Sequence, residues 1–201
     1  MSLTVNGGSS ATYEPISEGT HLAVCSMLID LGQQFSEKFG TSARKVLIAW
    51  EVPDETIQLD NGPVPRTISK RYTASLNEKA VLRADLEAWR GKKFTPEELA
   101  GFDLRAIVGK SCLINVTHRK GQNDRTYADV GAIMALPRGT SPGQLSEPPV
   151  VYDIDADPIE DVEKLPQWIQ ETIKKSPSYE EKLAAKPTFT EVEDDEGDLP
   201  F

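Results

Sequence analysis

The sequence of 201 residues has little of what disulfides, metal sites or membrane insertion require. It holds two cysteines, Cys25 and Cys112, and each lies in an apolar, strand-like run in which nothing resembles the spacing of metal ligands. Two such cysteines exclude a disulfide framework and favour buried, reduced thiols. No apolar run approaches the roughly 18 residues of a membrane-spanning helix, and the first 15 residues lack the apolar core of a signal peptide. We therefore expect a soluble protein of a reducing cytoplasm.

Residues for catalysis and for nucleotide or metal binding are also scarce. His21 and His118 are far apart in the chain, and no Ser or Cys is placed beside a plausible base. Residues 109–111 resemble the end of a phosphate-binding loop but lack that motif's first glycine. Residues 153–157 begin like a calcium loop that fails at its sixth and twelfth positions. The sequence thus predicts a protein without enzymatic activity, cofactor or metal, and a nuclease using the carboxylates of residues 153–161 is the weaker alternative.

Charge is distributed unevenly along the chain. The formal net charge of -10 comes entirely from residues 153–201, which hold 15 carboxylates and 5 lysines, whereas residues 1–152 hold 17 charges of each sign. Residues 66–125 contain 13 Lys or Arg against 7 Asp or Glu. A basic middle followed by an acidic end indicates a body that binds polyanions and a tail that regulates or recruits.

The pattern of apolar and turn residues predicts a β-rich domain. Five strands are predicted, at 21–32, 45–52, 66–75, 107–119 and 126–137. Long loops at 33–44 and 53–65 are predicted to separate the first three. A capping sequence that begins at Ser75 predicts a helix that ends at Gly91, and one that begins at Thr95 predicts a second, short helix. The order β-β-β-α-β-β is that of the OB-fold, a Greek-key barrel that binds single strands. We therefore predict a mainly β protein, a five-stranded OB-fold barrel with a helix between its third and fourth strands.

Composition divides the chain into four segments. Residues 1–15, rich in Gly, Ser and Thr, are predicted to be a disordered arm, and residues 16–152 to form the nucleic-acid-binding barrel. Residues 153–190 form an extension with a helix at about 165–175. The apolar face of this helix, with Leu165, Trp168, Ile169 and Ile173, is predicted to pack on the barrel or, less favoured, to make a dimer contact. Residues 191–201 carry six carboxylates and no Lys or Arg, so we expect a disordered acidic tail.

A protein that binds single strands needs cations spaced along the phosphates and flat rings on which unpaired bases stack. Residues of both kinds lie in the first loop, on the second and third strands and around the last hairpin. The candidate cations are Lys38, Arg44, Lys45, Arg66, Lys70, Arg71, Arg119, Lys120 and Arg125. The candidate rings are Trp50, Tyr72 and Tyr127. For Trp50, whose face also carries apolar neighbours, a place in the core is as well supported as one against DNA.

The end of the chain resembles that of a known family. Its acidic block and apolar tip consist of Asp194, Asp195, Glu196, Asp198, Leu199, Pro200 and Phe201. This ending resembles the carboxyl terminus of single-stranded DNA-binding proteins of bacteria and their phages, although Leu199 stands where the bacterial ending usually carries Ile. With the strand order and the basic strands, the chain is similar to OB-fold replication accessory proteins of tailed phages.

The resemblance implies that the tip recruits replication or recombination proteins, such as a polymerase, helicase or recombinase. It also implies that the acidic block competes with nucleic acid for the basic groove. We therefore expect a non-enzymatic, largely sequence-independent binder and protector of single-stranded DNA in the cytoplasm of a bacterial host, either a monomer or a homodimer. A single-strand annealing protein or recombination mediator, and an interaction adaptor without nucleic-acid binding, are the alternatives.

Overall fold

The computed structural model describes residues 14–37, 40–59, 61–121 and 124–185. Its main feature is a strongly curled antiparallel sheet that forms a half-barrel. The five long strands are β1 (Gly19–Ser36), β2 (Thr41–Leu59), β3 (Gly62–Thr73), β4 (Ser111–Lys120) and β5 (Thr126–Met134). The mainly β fold class predicted from the sequence is therefore confirmed.

The strands follow the order β3-β2-β1-β4-β5 across the sheet. Each neighbouring pair is antiparallel, and β1 at the centre pairs with β2 on one side and β4 on the other. Within the described residues, β3 and β5 lie close to each other but share no ladder. This arrangement is that of the OB-fold barrel, with a gap left between its two outermost strands.

The β2–β3 hairpin is longer than the sequence predicted. Residues 53–65 were predicted to be a loop, but the two strands stay paired up to Leu59 and Gly62. A register shift next to Pro53 takes up the proline, since a bulge tolerates a residue that cannot donate to the ladder. The predicted loop at 33–44 is likewise mostly strand, because β1 and β2 extend toward each other through it.

The segment between β3 and β4 holds α1 (Val81–Arg90), α2 (Pro96–Ala100) and a 3₁₀ helix (Leu104–Ile107). Gly91 ends α1 in the left-handed conformation, with a φ of 66°, as expected for a glycine after a helix. Thr95 opens α2 with the predicted capping box. The helix between the third and fourth strands is therefore confirmed.

The capping box predicted at Ser75 is wrong. The Ser75 hydroxyl accepts a hydrogen bond from the backbone N–H of Asn77 at 3.2 Å instead of capping a helix. The helix begins only at Val81, after Ala80, which makes no side-chain cap. A serine can satisfy a nearby backbone donor in a local turn, and here that contact competes with helix formation.

The barrel interior is closed by α1. Leu82, Leu86 and Trp89 of this helix are buried against apolar side chains from the inner face of the sheet. The rings of Trp89 and Trp50 lie with their centroids 5.8 Å apart, a distance typical of favourable ring pairs. The inner core is thus formed mainly by the sheet and α1, with Ile16, Phe94 and Ile107 adding to it.

The outer face of β1 and β2 is covered by the carboxyl-terminal extension. Just before the extension, β6 (Val150–Tyr152) pairs in parallel with β1. The extension itself contains a 3₁₀ helix (Ile159–Lys164), α3 (Gln167–Lys174) and α4 (Pro177–Ala184). Ile169 and Ile173 of α3 are fully buried in a second apolar cluster with residues of β1 and β2. The predicted packing of the extension's helix on the barrel is confirmed, whereas β6 and α4 were not predicted.

A glycine makes room for this extension. Gly32 of β1 has a φ of 69°, and a Cβ placed there would lie 2.2 Å from the hydroxyl oxygen of Ser176, just before α4. Both the left-handed backbone and the close approach of Ser176 therefore require glycine at this position.

Among the helices of the described residues, none has the length and apolar character needed to cross a bilayer. The predicted acidic tail at 191–201 and nearly all of the predicted disordered arm lie outside the described residues. The predicted boundary between barrel and extension stays a prediction, although the sheet includes residues 150–152.

Candidate nucleic-acid interface

A cleft of about 1160 Å³ lies in the gap between β3 and β5. Residues 64–69 of β3 form one wall, and residues 124–128 at the start of β5 form the other. Ile57 of β2 and residues 14–16 complete the lining. We call this space the hairpin cleft, since the β2–β3 and β4–β5 hairpins flank it.

Residues 14–18 form a strap along the floor of the hairpin cleft. Ile16 is 5% exposed and belongs to the barrel core. The Nε2 atom of His118 on β4 donates to the carbonyl oxygen of Ile16 at 2.7 Å. On the other side, the hydroxyl of Ser17 donates to the carboxylate of Glu55 on β2. The strap therefore connects the β4–β5 hairpin with the β2–β3 hairpin.

Arg66 lies on the β3 wall and is oriented by the strap. Its Nη1 atom donates to the carbonyl oxygen of Glu14. Its Nε atom is buried and has no hydrogen-bond partner among the described residues. A buried donor without an acceptor costs about 1–3 kcal/mol, so this guanidinium keeps hydrogen-bonding capacity that the described residues do not use.

The opposite wall carries cations beside an exposed ring. Arg119 of β4 stands directly across the ladder from Tyr127 of β5, and its guanidinium carbon lies 5.7 Å from the centre of the tyrosine ring. Tyr127 is 41% exposed and lines the cleft together with Arg125. Lys120 is exposed and pairs with Thr126, another lining residue. Arg119 also donates to the carboxylate of Asp129.

Three of the residues predicted from the sequence line the cleft, namely Arg66, Arg125 and Tyr127. Two more, Arg119 and Lys120, stand across the ladder from the lining residues Tyr127 and Thr126. The chain matches no protein-family model and no curated protein. The geometry of the hairpin cleft is therefore what points to a function.

Two predicted base-stacking residues lie in the core, and these two predictions are wrong. Trp50 is fully buried, and Tyr72 is 3% exposed. The Tyr72 hydroxyl donates to the carboxylate of Asp85 at 2.9 Å, and burial raises the pKa of Tyr72 above its ordinary value. Both side chains point to the inner face of the sheet, where neighbouring strands and α1 cover them, so no base can reach either ring.

Two predicted lysines are also placed away from the cleft. Lys70 points toward α1, where its Nζ atom lies 2.8 Å from a carboxylate oxygen of Asp85. Lys45 lies on the outer face of β2 and donates to the hydroxyl of Thr73 at 2.6 Å. Lys38 lies outside the described residues.

Arg44 is neutralised at the other end of β2. Its guanidinium forms ion pairs with Asp30 of β1 and with Asp153 and Asp155 of the extension. The hydrogen bond to Asp30 is the main reason why the pKa of Arg44 lies above its ordinary value. We call this group the aspartate cluster. The predicted role of Arg44 in binding DNA is not supported, because carboxylates already occupy its donors.

The aspartate cluster also bears on the nuclease alternative. The carboxylate oxygens of Asp30, Asp153 and Asp155 lie within 4.8 Å of one another, close enough to hold a metal ion. Arg44 already supplies positive charge at this place, and Arg105 adds an ion pair with Asp153 at 2.9 Å. A metal would have to compete with two arginines, and the geometry therefore does not favour a metal-dependent reaction here.

Arg71 lies on the outer face of β3 beside Trp168, a ring that was predicted from the sequence to be buried. Its guanidinium carbon is 5.6 Å from the centre of the Trp168 ring on α3. The helical apolar stripe predicted Trp168 to be part of the buried face, but the residue is 46% exposed. Spacing alone did not separate it from its buried neighbour Ile169, since both fall on one half of the helix.

Proposed function

We propose that the protein binds single-stranded DNA in the hairpin cleft, largely without regard to sequence. The observation that carries this proposal is the meeting of Arg66 from one hairpin with Arg125 and Tyr127 from the other, across a cleft open to solvent. Arginines bind phosphate oxygens through several donors, and an exposed ring gives an unpaired base a surface to stack on. Stacking contributes about 1–3 kcal/mol per base and accepts every base.

The chemistry of the cleft favours single strands over duplex. A ring face such as that of Tyr127 can be used only by a base that is not already stacked between its neighbours. The cations of the two walls suit a flexible phosphate backbone, which carries no sequence information. Binding of this kind coats and protects unwound strands.

The proposed biological role is non-enzymatic and follows from the resemblance of the tail. The protein would coat unwound DNA during phage replication or recombination in the bacterial cytoplasm. Phe201 and the preceding carboxylates would recruit a polymerase, helicase or recombinase. In the absence of DNA, the acidic tail would compete for the cations of the hairpin cleft.

Fluorescence anisotropy of labelled oligo-dT at several salt concentrations tests the binding site. Replacing both Arg66 and Arg125 by Ala should weaken binding and flatten the plot of log affinity against log salt by roughly 0.7 for each phosphate that is no longer neutralised. The matched control is Arg138→Ala, which removes an exposed arginine in the turn after β5. An unaltered slope in the double variant would place the groove elsewhere.

Two other outcomes would change the proposed function. A wild-type protein that ignores oligo-dT even at low salt would be an interaction adaptor. A wild-type protein that accelerates the pairing of complementary strands would be an annealing protein or a recombination mediator.

Deleting residues 191–201 tests the tail. The loss of six carboxylates should tighten the binding of oligo-dT and abolish the capture of partner proteins. Deleting only Leu199, Pro200 and Phe201 is the matched control, which should abolish capture and leave DNA affinity unchanged. Unchanged or weaker affinity after the full deletion would refute competition between tail and DNA.

A further inference from the structure

We propose that Trp168 on α3 is a second base-stacking residue, and that the DNA runs from the hairpin cleft along the outer face of β3 to this ring. The inference rests on the proposed function and extends it. It assigns DNA contact to the carboxyl-terminal extension and lengthens the binding site beyond the cleft.

The exposure of Trp168 is the first observation. The chain has three tryptophans, all of them described, and Trp50 and Trp89 are buried while Trp168 is 46% exposed. The helix that carries it is held firmly, since Ile169 and Ile173 are fully buried beneath it. A large ring presented to solvent from a well-anchored helix offers a preorganised surface for a planar ligand.

The position of Arg71 beside this ring is the second observation. The Arg71 guanidinium carbon lies 5.6 Å from the ring centre, and Nη2 lies 3.4 Å from the hydroxyl oxygen of Thr172 on the same helix. Arg119 and Tyr127 form the same kind of pair at 5.7 Å beside the cleft. In each pair a phosphate-binding group stands next to a stacking surface, as one nucleotide requires.

The continuity of β3 between the two pairs is the third observation. Ile68 and Tyr72 are buried on the inner face, so strand alternation places Thr67, Ser69 and Arg71 on the outer face. Thr67 and Ser69 line the hairpin cleft, and Arg71 follows Ser69 by about 7 Å along the strand.

The charge along this route is favourable to a phosphate backbone. Of the three cations in residues 66–73, Arg66 lines the cleft and Arg71 lies on the outer face, whereas Lys70 points toward α1 and pairs with Asp85. Lys45 adds a further cation beside Thr73, to which it is hydrogen-bonded at 2.6 Å. A strand leaving the cleft along this face therefore meets Arg71 next to the Trp168 ring, with Lys45 beyond it.

Intrinsic tryptophan fluorescence tests the inference directly. Because the other two tryptophans are buried, stacking of a thymine on Trp168 should quench the emission when unlabelled oligo-dT is added to the full chain. Trp168→Ala should abolish the quenching and weaken the binding of a long oligo-dT by roughly 5- to 150-fold. Trp168→Phe, which keeps a ring, should lose the quenching but retain most of the affinity.

The length of the oligonucleotide supplies an internal control. An oligo-dT just long enough to fill the hairpin cleft should bind wild type and Trp168→Ala equally, since it cannot reach α3. Leu183→Ala, which truncates an exposed apolar side chain on α4, should leave affinity and quenching unchanged for every length.

The outcomes separate this inference from the proposed function. If long oligo-dT binds through Arg66 and Arg125 without quenching, and Trp168→Ala binds as wild type, the inference falls and the cleft stands. If wild type does not bind oligo-dT at all, both fall. A Trp168→Ala variant that changes the oligomeric state and not DNA affinity would overturn the inference and assign the ring to a protein contact.

Discussion

Two arginines, Arg44 near the start of β2 and Arg66 on β3, show how the same side chain acquires different roles. Arg66 pairs in the ladder with Val52, and Arg44 pairs with Gln33. Arg66 contacts a backbone carbonyl and opens onto the hairpin cleft. Arg44 is surrounded by the carboxylates of the aspartate cluster, two of which come from the extension.

The difference teaches that the availability of a cation depends on which distant segment folds against it. The extension carries most of its charge as carboxylates and covers one end of the barrel, where it neutralises Arg44 and Arg105. The other end receives the strap, which bonds to Arg66 through an uncharged carbonyl group. Arg44 is therefore ion-paired in the aspartate cluster, whereas Arg66 faces a carbonyl group in a cleft whose lining also includes Glu14 and Asp124.

Replacing Arg44 by Ala should have the largest effect on stability. Asp30, whose side chain is 10% exposed, would lose its main counter-charge, so we expect the free energy of unfolding to fall by about 3 kcal/mol. Oligo-dT affinity should not change. Urea unfolding measures the stability, and anisotropy measures the affinity. The control is Asp155→Asn, which removes an ion-pair partner of Arg44 whose side chain is 69% exposed. It should lower the free energy of unfolding by less than about 1 kcal/mol. A loss of DNA affinity in Arg44→Ala would remove the contrast between the two arginines.

Truncating Ile16 to Ala should weaken both stability and binding. We expect a loss of about 2 kcal/mol from the free energy of unfolding, because the strap can relax around the cavity. DNA affinity should fall because the strap no longer holds Arg66. A double-mutant cycle with Arg66→Ala tests this link, since the effects on affinity should be less than additive. Full additivity would mean that the strap acts independently of Arg66, and Ile16→Val serves as the milder control.

Tyr72→Phe and Tyr127→Ala should separate the buried tyrosine from the exposed one. Tyr72→Phe removes a buried hydroxyl that bonds to Asp85, so the free energy of unfolding should fall by about 1 kcal/mol while oligo-dT affinity stays the same. Tyr127→Ala should reduce affinity by about 1–3 kcal/mol and change unfolding little. Urea unfolding and anisotropy on both variants check the pair, and weaker binding by Tyr72→Phe would contradict the assignment of that ring to the core.

Acidification should have the smallest effect on stability among these changes, because it weakens only the contact between Glu55 and the strap. The hydrogen bond from the Ser17 hydroxyl is the main reason that the pKa of Glu55 lies below its ordinary value of 4.5. A depressed pKa in the folded state contributes stability above the ordinary value, and this contribution is lost as the pH falls through the folded-state pKa. Glu55→Gln should therefore have a lower urea midpoint than wild type at neutral pH and the same midpoint in strong acid. A difference that persists in acid would assign the effect of Glu55 to another contact.

Local patterns were sufficient to predict most of the fold. Strand alternation, the glycine after α1 and the capping box at Thr95 each depend on residues close in sequence, and the structure confirms them. The β2–β3 hairpin was predicted too short because prolines at 53–65 indicate a loop. In the structure Pro53 lies at a register shift, and Pro63 and Pro65 lie on the outermost strand β3, where a residue that cannot donate is tolerated. The short β6 was not predicted, because it forms by pairing with the distant β1 and not through a pattern in its own three residues.

The candidate site was predicted only in part, for a physical reason. Composition identified the cations and the rings, because side-chain chemistry is a property of each residue. Whether Trp50, Tyr72 and Trp168 are buried depends on α1 and α3 packing on the two faces of the sheet, which residue spacing does not reveal.

By itself, then, the sequence determined the order of strands, the helix that closes the barrel and the segregation of charge along the chain. The tertiary structure alone decided which cations remain available, because long-range packing brings Asp153 and Asp155 to Arg44 but places a backbone carbonyl beside Arg66. Electrostatic interactions fall off with distance in space, not with separation along the chain.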